Sequence, residues 1–510
     1  MSHEESYSPQ VQRNLLLAIG AAIVLYAVAV GTGWPQRGAA IISQEHHPNE
    51  DGHAKPEPPP TWAMAPFVLL LAAIAVLPLL PATNHWWESN RNRFVVSASL
   101  GLVTLTYYAL LHRHAIERHF LGHALVSPNP HGVSWQLAAT IFQNAVLAEY
   151  VPFIVLLFSL YTICGGIRIS GDLPAHPLTN TAFIAIGGVL ASLIGTTGAA
   201  MVVIRPLLET NSERKHVRHT VVFFIFVVCN CGGCLLPIGD PPLFLGYLQG
   251  VDFLWTLSLW KEWAFVNLSL LAIYYCWDRF WAYPREAQRD VTADERTFRK
   301  LHFRGLWPNI PLLLGVVLAV AILDPGKPIP GTEWHPWLWL REIVQLTLVG
   351  VSLALGLPAV RRDNRFTYAA IVEVAVLFLG IFICMQPALQ ILDVRGAALG
   401  VDTPTKFFWF TGGLSAVLDN APTYLVFFKT AQSLHAAGPS QAGVPVEMLE
   451  AISLGAVFMG AMTYIGNGPN FMVKSIAEQS GVKMPSFFGY LLYSVCVLLP
   501  LLTLMQLLFL

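Results

Sequence analysis

The chain predicts an all-α polytopic membrane protein built as an inverted-topology repeat, and three observations point there. Of its 510 residues, 55% are hydrophobic and only 12% charged, about half the roughly 25% expected of a soluble domain. The apolar residues gather into runs of roughly 17 to 25, enough to cross a hydrocarbon core about 30 Å thick. One pattern of glutamate, polar tip and Gly/Pro interruption occurs twice. This composition excludes a soluble enzyme, and 30 basic against 31 acidic residues leave no basic surface for nucleic acid.

Residues 1–62 form an N-terminal segment. Its apolar stretch near 14–31 is either a spanning helix or a signal peptide with an Ala27-x-Ala29 cleavage pattern, although Glu4 and Glu5 fit a positive n-region poorly. Residues 34–61, rich in proline, histidine and charge, read as an external linker. Spans near 63–81, 94–112, 135–163, 217–248 and 257–280 make a first repeat, 63–280. A basic cytoplasmic loop follows at 281–305. Spans near 306–323, 337–359, 367–393, 447–480 and 486–510 make the second, 306–510, for about eleven transmembrane segments in all.

Two further apolar stretches, 180–209 and 404–432, carry polar, glycine or proline residues at their middle, where a spanning helix should be most apolar. Lysine and arginine decide how they run. Treating both as re-entrant hairpins puts 17 basic residues on the inner side and six on the outer, as the positive-inside rule requires. A single crossing by either would switch every later loop and erase that asymmetry. The chain is then expected in the inner (plasma) membrane, with a cytoplasmic N-terminus unless a signal peptide is cleaved, and an external C-terminus.

Ten histidines (46, 47, 53, 112, 114, 119, 123, 131, 335 and 435) fall outside in this arrangement and read as solvated interfacial side chains. All seven cysteines lie in or beside apolar segments, so no extracellular disulfide framework is expected. Cys229, Cys231 and Cys234 form CNCGGC, read as small buried residues rather than a metal or redox site.

In the first copy of the repeat, Glu149 opens EYVPFIVLLFSL, the hairpin tip is IGTTGAA and the interruption is LPIGDPPLF. In the second, Glu373 opens EVAVLFLGIFIC, the tip is VLDNAPT and the interruption is YIGNGPNF. From glutamate to tip is 47 residues in both copies, and from glutamate to the glycine of the break 90 and 93. One hairpin enters from inside and the other from outside, so the repeat is inverted, with two discontinuous helices. Such folds bind substrate and coupling ions near the midplane, where proline and glycine free carbonyls for a cation and half-helix N-termini for an anion. Broken backbone is tolerated there only if buried or lining a cavity.

The phrases GGCLLPIGDPPL (232–243) and SAVLDNAPT (415–423) resemble the ion transporter superfamily, which includes arsenite, citrate and dicarboxylate carriers. They look most like NhaD-type sodium/proton antiporters and the related citrate transporter-like proteins, over about residues 135–510. The tips depart from the Ser-Asn-Thr tips of the dicarboxylate carriers, with Gly195-Thr196-Thr197 in one and Asp419-Asn420 in the other. The resemblance implies a secondary transporter rather than an enzyme, with no cofactor beyond transported sodium and protons, a lipid bilayer around it, and a homodimer, since dimers are usual in that superfamily.

A charge near the bilayer centre costs roughly 2.5 to 3.5 kcal/mol on insertion scales. Asp240 and Asp419 sit at backbone breaks and are candidate ion or proton ligands; capping a half-helix N-terminus is the structural alternative. Glu149, Glu373, Arg205, Lys429 and Lys474 are secondary candidates: the three basic residues could neutralise the glutamates, contact an anion or snorkel to the interface. Thr196, Thr197, Asn230, Asn420, Thr423, Thr463, Asn467 and Asn470 supply neutral oxygens at the same breaks. Sodium is a hard cation that asks for oxygen, and Asp240, Asp419, Asn420 and Asn467 are its expected ligands. A carboxylate removed from water holds a proton or a cation but rarely both, which predicts sodium/proton exchange by alternating access.

The rival is sodium- or proton-coupled uptake of citrate or a dicarboxylate, which needs positive potential where the breaks carry acid. An intramembrane aspartyl protease is disfavoured: Pro237 stands where a GxGD motif needs glycine, and Pro387-Ala388-Leu389 precedes the second aspartate. A passive channel suits inverted hairpins less well than alternating access does.

Overall fold

The computed structural model describes residues 7–44, 57–78, 80–122, 124–289, 292, 299–434 and 438–510. Its first helices are α1 (Pro9–Gly31), α2 (Trp34–Gln44), α3 (Ala65–Val76), α4 (Asn84–Trp87), α5 (Asn90–Leu110), α6 (Trp135–Phe142), α7 (Val151–Cys164), α8 (Pro177–Ile194), α9 (Thr196–Thr210), α10 (Arg218–Val227), α11 (Pro241–Leu248) and α12 (Trp260–Trp277). There follow α13 (Leu306–Ile322), α14 (Leu340–Leu355), α15 (Pro358–Asp363), α16 (Ala369–Cys384), α17 (Gln386–Arg395), α18 (Pro404–Ser415), α19 (Asn420–Gln432), α20 (Val446–Met459), α21 (Gly468–Gln479) and α22 (Phe487–Phe509). Strands among the described residues form only two-stranded antiparallel pieces.

The chain is an all-α polytopic membrane protein. Among the described residues five helices are long and apolar enough to cross a membrane, or six if the pair Ala369–Cys384 and Gln386–Leu399, bent by 44°, is one span. The expectation of about eleven spans counted apolar runs that the structure divides by breaks or leaves as shorter helices. One of the five, α8, was expected as the first arm of a hairpin. Gly195 follows it at φ 80°, ψ 149°, a conformation open chiefly to glycine, and α9 folds back against α8.

Three local features refine the expected organisation. Residues 34–61 were read as a linker, yet Trp34–Gln44 is helical. Pro35 suits a first helical turn, and Ala39 is buried. The first discontinuous helix breaks earlier than LPIGDPPLF: α10 ends at Val227 and a 3-10 turn runs Cys231–Cys234. Asn230 leaves helical geometry at φ −142°, ψ −85°, and its side-chain Nδ2 donates back to the Ile225 carbonyl at 2.9 Å. The loops 164–179 and 281–305 are tied together by a small sheet, Arg168–Asp172 paired with Arg299–Arg304. His46, His47, His53, His123 and His435, with Glu4 and Glu5, lie outside the described residues.

The chain divides into two compact units: Met1–Ile163 with Pro308–Leu399, and Cys164–Trp307 with Gly400–Leu510. Each sequence repeat therefore gives its leading portion to the first unit and its trailing portion to the second. In the first unit α5 packs against α16. A Cβ on Gly380 would meet Ser97 Cβ at 2.6 Å, and Ser97 Oγ donates to the Val376 carbonyl at 2.6 Å. Small residues let membrane helices approach in this way. α1 lies along α14, with Gln12 Nε2 donating to the Leu353 carbonyl at 2.5 Å and Tyr26 to that of Leu338 at 3.1 Å.

In the second unit α18 packs on α20, where Gly455 faces the Phe408 carbonyl and Gly412 faces Met459. α10 is buried from His219 through Val227. A helix apolar all round belongs in the interior of its unit, so the segment leading into the first break is held on every side.

Candidate functional site

Both hairpin tips and both broken helices belong to the second unit. The breaks are built alike. Gly233 and Gly239 stand six positions apart, as do Gly460 and Gly466, and the next residue, Asp240 or Asn467, is the N-cap of α11 or α21. Each glycine pair brings two stretches of backbone too close for a side chain. A Cβ on Gly239 would run into the Gly233 carbonyl, and one on Gly466 would lie 2.6 Å from the Gly460 carbonyl and 2.8 Å from that of Ser415. At the first break the Thr196 amide donates to the Gly239 carbonyl at 2.8 Å, fixing the tip of the hairpin to the break.

Asp240 is the side chain on which these elements converge. It is 1% exposed. Its Oδ1 accepts from Thr196 Oγ1 at 3.1 Å and Asn467 Nδ2 at 3.0 Å, and its Oδ2 accepts from Asn420 Nδ2 at 2.7 Å. One carboxylate thus draws a donor from each hairpin tip and one from the other break. No lysine or arginine pairs with it among the described residues. Buried charge without a counter-ion is costly unless hydrogen bonds and an exchangeable cation or proton offset it.

A second layer holds the donors. Asn467 Nδ2 also lies 3.0 Å from the Cys229 carbonyl and 3.2 Å from Asn230 Oδ1. Asn230 Nδ2 donates to Asn470 Oδ1 at 2.8 Å, and Asn470 Nδ2 donates to the carbonyls of Gly460 and Thr463, both at 2.9 Å. Thr463 Oγ1 donates to the Ala416 carbonyl at 2.6 Å. Asn470 and Thr463 therefore serve as clamps across the second break. Asn420 Oδ1 is buried and has no hydrogen-bond partner among the described residues. A freed amide oxygen beside a carboxylate is the donor set a hard cation takes.

The other expected residues lie around this centre in different roles. Asp419 caps α19, its carboxylate accepting from the Ala421 amide at 3.0 Å, and Thr423 Oγ1 donates to the Asp419 carbonyl at 3.0 Å. Thr197 is half-buried beside Thr196. Lys429 donates to Gln432 Oε1 at 3.0 Å, Lys474 pairs with Glu478 at 3.2 Å, and Arg205 is half-buried on α9. Glu149 and Glu373 belong to the first unit. The expected neutralisation of Glu373 by Arg205, Lys429 or Lys474 is corrected: Arg93, brought up by the close packing of α5 on α16, pairs with it at 3.0 Å. Glu149 accepts from Gln386 Nε2 at 3.5 Å.

Ser192 and Ser415, which sequence reasoning did not single out, tie the hairpins to the broken helices. Ser192 Oγ donates to the Gly232 carbonyl at 2.6 Å, and Ser415 Oγ to that of Ala456 at 2.7 Å. Both precede a tip by a few residues, a signal visible once the two copies are aligned. Cys229, Cys231 and Cys234 are buried free thiols, and no group of three His, Cys, Asp or Glu side chains among the described residues could hold a metal.

Broken membrane helices meeting at one buried carboxylate, with their free ends held by amides and hydroxyls, define a secondary transporter. The chain belongs to the family described as "Putative citrate transport", whose model matches residues 119–510. No curated protein matches it.

Proposed function

We propose that the protein exchanges sodium for protons, with Asp240 as the group that holds one or the other. The observation that carries this reading is the Asp240 carboxylate, hydrogen-bonded by Thr196, Asn420 and Asn467 and paired with no basic side chain among the described residues. Ionised, it offers two oxygens to a cation. Asn420 Oδ1 and Thr196 Oγ1 complete the near oxygens, and Asp419, at the adjoining N-cap, adds a second negative charge. Protonated, Asp240 turns one oxygen from acceptor to donor, so an amide that donated to it must rotate to present its own oxygen. Cation and proton therefore ask for different arrangements of the same side chains, which supports competition rather than joint binding. Alternating access then moves the occupied site from one side to the other.

Citrate uptake coupled to sodium or protons is the second reading. The family description favours it, and so do the four helices α9, α11, α19 and α21, which begin at Thr196, Pro241, Asn420 and Gly468 and turn partial positive charge toward the site. Proteoliposomes separate the two. Under the first reading, sodium or lithium dissipates an imposed pH gradient reported by an internal dye, without citrate. Under the second, labelled citrate accumulates down a cation gradient while sodium alone leaves the pH gradient standing.

A further inference from the structure

The last helix of each repeat packs against the break of its own repeat, α12 on the 3-10 turn Cys231–Cys234 and α22 on the 3-10 turn Gly460–Met462. From α12, Trp263 Nε1 donates to the Gly232 carbonyl at 3.0 Å. From α22, Tyr490 Oη donates to the Ala461 carbonyl at 2.8 Å. In both turns the acceptor is the second residue. Trp263 and Tyr490 stand 227 positions apart, the same separation as Asp240 and Asn467. Four residues further on, Asn267 and Ser494 repeat the match: each donates to the carbonyl of the aromatic residue before it, at 2.8 and 3.2 Å.

A broken helix leaves carbonyls without helical partners, and a buried carbonyl calls for a donor. Side chains supply it at both turns. Asn267 Nδ2 takes the Cys231 carbonyl at 3.1 Å, and Trp263 shares that of Gly232 with Ser192. At the second break Tyr490 holds Ala461 while Asn470 holds Gly460. The held turns carry the glycines that abut the residues preceding the site: Gly233 lies against Gly239, next to Asp240, and Gly460 against Gly466, next to Asn467. From each aromatic donor to the site is therefore a short run of turn and glycine contact. Tyr490 is itself fixed, 0% exposed with its ring 4.1 Å from Tyr464 and 5.7 Å from Phe226.

We propose that Trp263 and Tyr490 are paired positioning residues of the ion site. Each pins the turn of its own break, and together they fix the spacing of Asp240 and Asn467 on which cation affinity depends. Neither side chain touches the ion; both act through the turn they hold. The proposal rests on Asp240 being the ion-binding group and adds to it the residues that hold its frame.

Trp263→Phe and Tyr490→Phe each remove one donor, keep an aromatic ring and change no charge. In proteoliposomes, half-saturating sodium rises about three- to tenfold in each, the scale of one hydrogen bond, while turnover at saturating sodium stays within about twofold of native. Ser494→Ala, whose hydroxyl donates within α22, keeps the native half-saturation. Amide hydrogen exchange of the full chain in sodium-free buffer quickens at 231–235 in Trp263→Phe and at 460–463 in Tyr490→Phe, because local opening becomes easier. That measurement involves no ion and no transport, so it stands apart from the sodium/proton reading. If the native chain exchanges no sodium for protons, that reading fails, and the same split between half-saturation and turnover is expected for labelled citrate. Lower melting with native half-saturation in both phenylalanine variants marks a merely structural role and overturns the proposal. Native amide exchange at both turns overturns it too, as does an equal loss of affinity in Ser494→Ala.

Discussion

Asn420 Nδ2 lies 2.7 Å from Asp240 Oδ2, joining the first residue of α19 to the N-cap of α11 across 180 positions of chain. The two belong to different copies of the repeat. Their bond is one of three by which the tips and breaks share a single carboxylate.

Asp240→Asn keeps the shape of that side chain and removes its charge. Sodium-dependent dissipation of a pH gradient in proteoliposomes is then lost. The variant also melts lower, by about 1 to 3 kcal/mol of stability, since an amide nitrogen now faces amide donors and leaves buried groups unsatisfied. Full exchange by this variant would remove Asp240 from the mechanism.

Asn420→Ala removes one donor to Asp240 and the buried Oδ1. Half-saturating sodium rises about tenfold or more, on the scale of one hydrogen bond to a charged group. Thr423→Ala, whose hydroxyl serves the Asp419 carbonyl, changes it far less. Dye-monitored titrations of the two variants side by side check the contrast.

If one proton leaves as one sodium binds, apparent sodium affinity falls as pH falls. The limiting slope is about tenfold per pH unit, as for any ligand whose binding displaces one proton. A sodium half-saturation that stays constant from acid to alkaline pH rules out a shared site.

The glycine pairs give a structural test. Gly466→Ala places a Cβ 2.6 Å from the Gly460 carbonyl, and backbone cannot give way as a side-chain tip can. About 1 to 3 kcal/mol of stability is lost, with exchange lost alongside. Gly413→Ala, where nothing lies within 4 Å of the added methyl, leaves melting within about 1 kcal/mol of native or slightly higher.

Arg214 and Asp278 form a buried pair in the second unit, with contacts of 2.5 and 3.0 Å, and His219 Nε2 lies 3.1 Å from the same carboxylate. Asp278→Asn removes the nearer of the two carboxylates on Arg214, leaving Glu286 at 3.5 Å, and costs about 1 to 3 kcal/mol. Arg214→Met combined with Asp278→Leu does not recover that loss, because the buried Glu286 then loses its arginine and keeps the backbone amides of Lys215 and His216. A double-mutant cycle on melting measures the coupling.

Much of this was legible in the chain itself. Hydropathy and charge content gave the membrane class, and the matched spacing of Glu149 and Glu373 to their tips gave the repeat. The Gly/Pro breaks marked out Asp240, Asn420 and Asn467, which the structure brings together. These signals are local: a proline interrupts a helix, and an apolar run seeks lipid, whatever lies elsewhere. Asp240 and Asp419 looked equivalent because each is an acid at a break. Tertiary structure separated them, turning Asp240 toward three donors and setting Asp419 to cap α19. It also paired Glu373 with Arg93 and set the buried Arg361 against Ser352 and the ring of Tyr7. Partner choice of that kind depends on which helix faces meet, and no stretch of sequence encodes a contact whose two halves lie 180 residues apart.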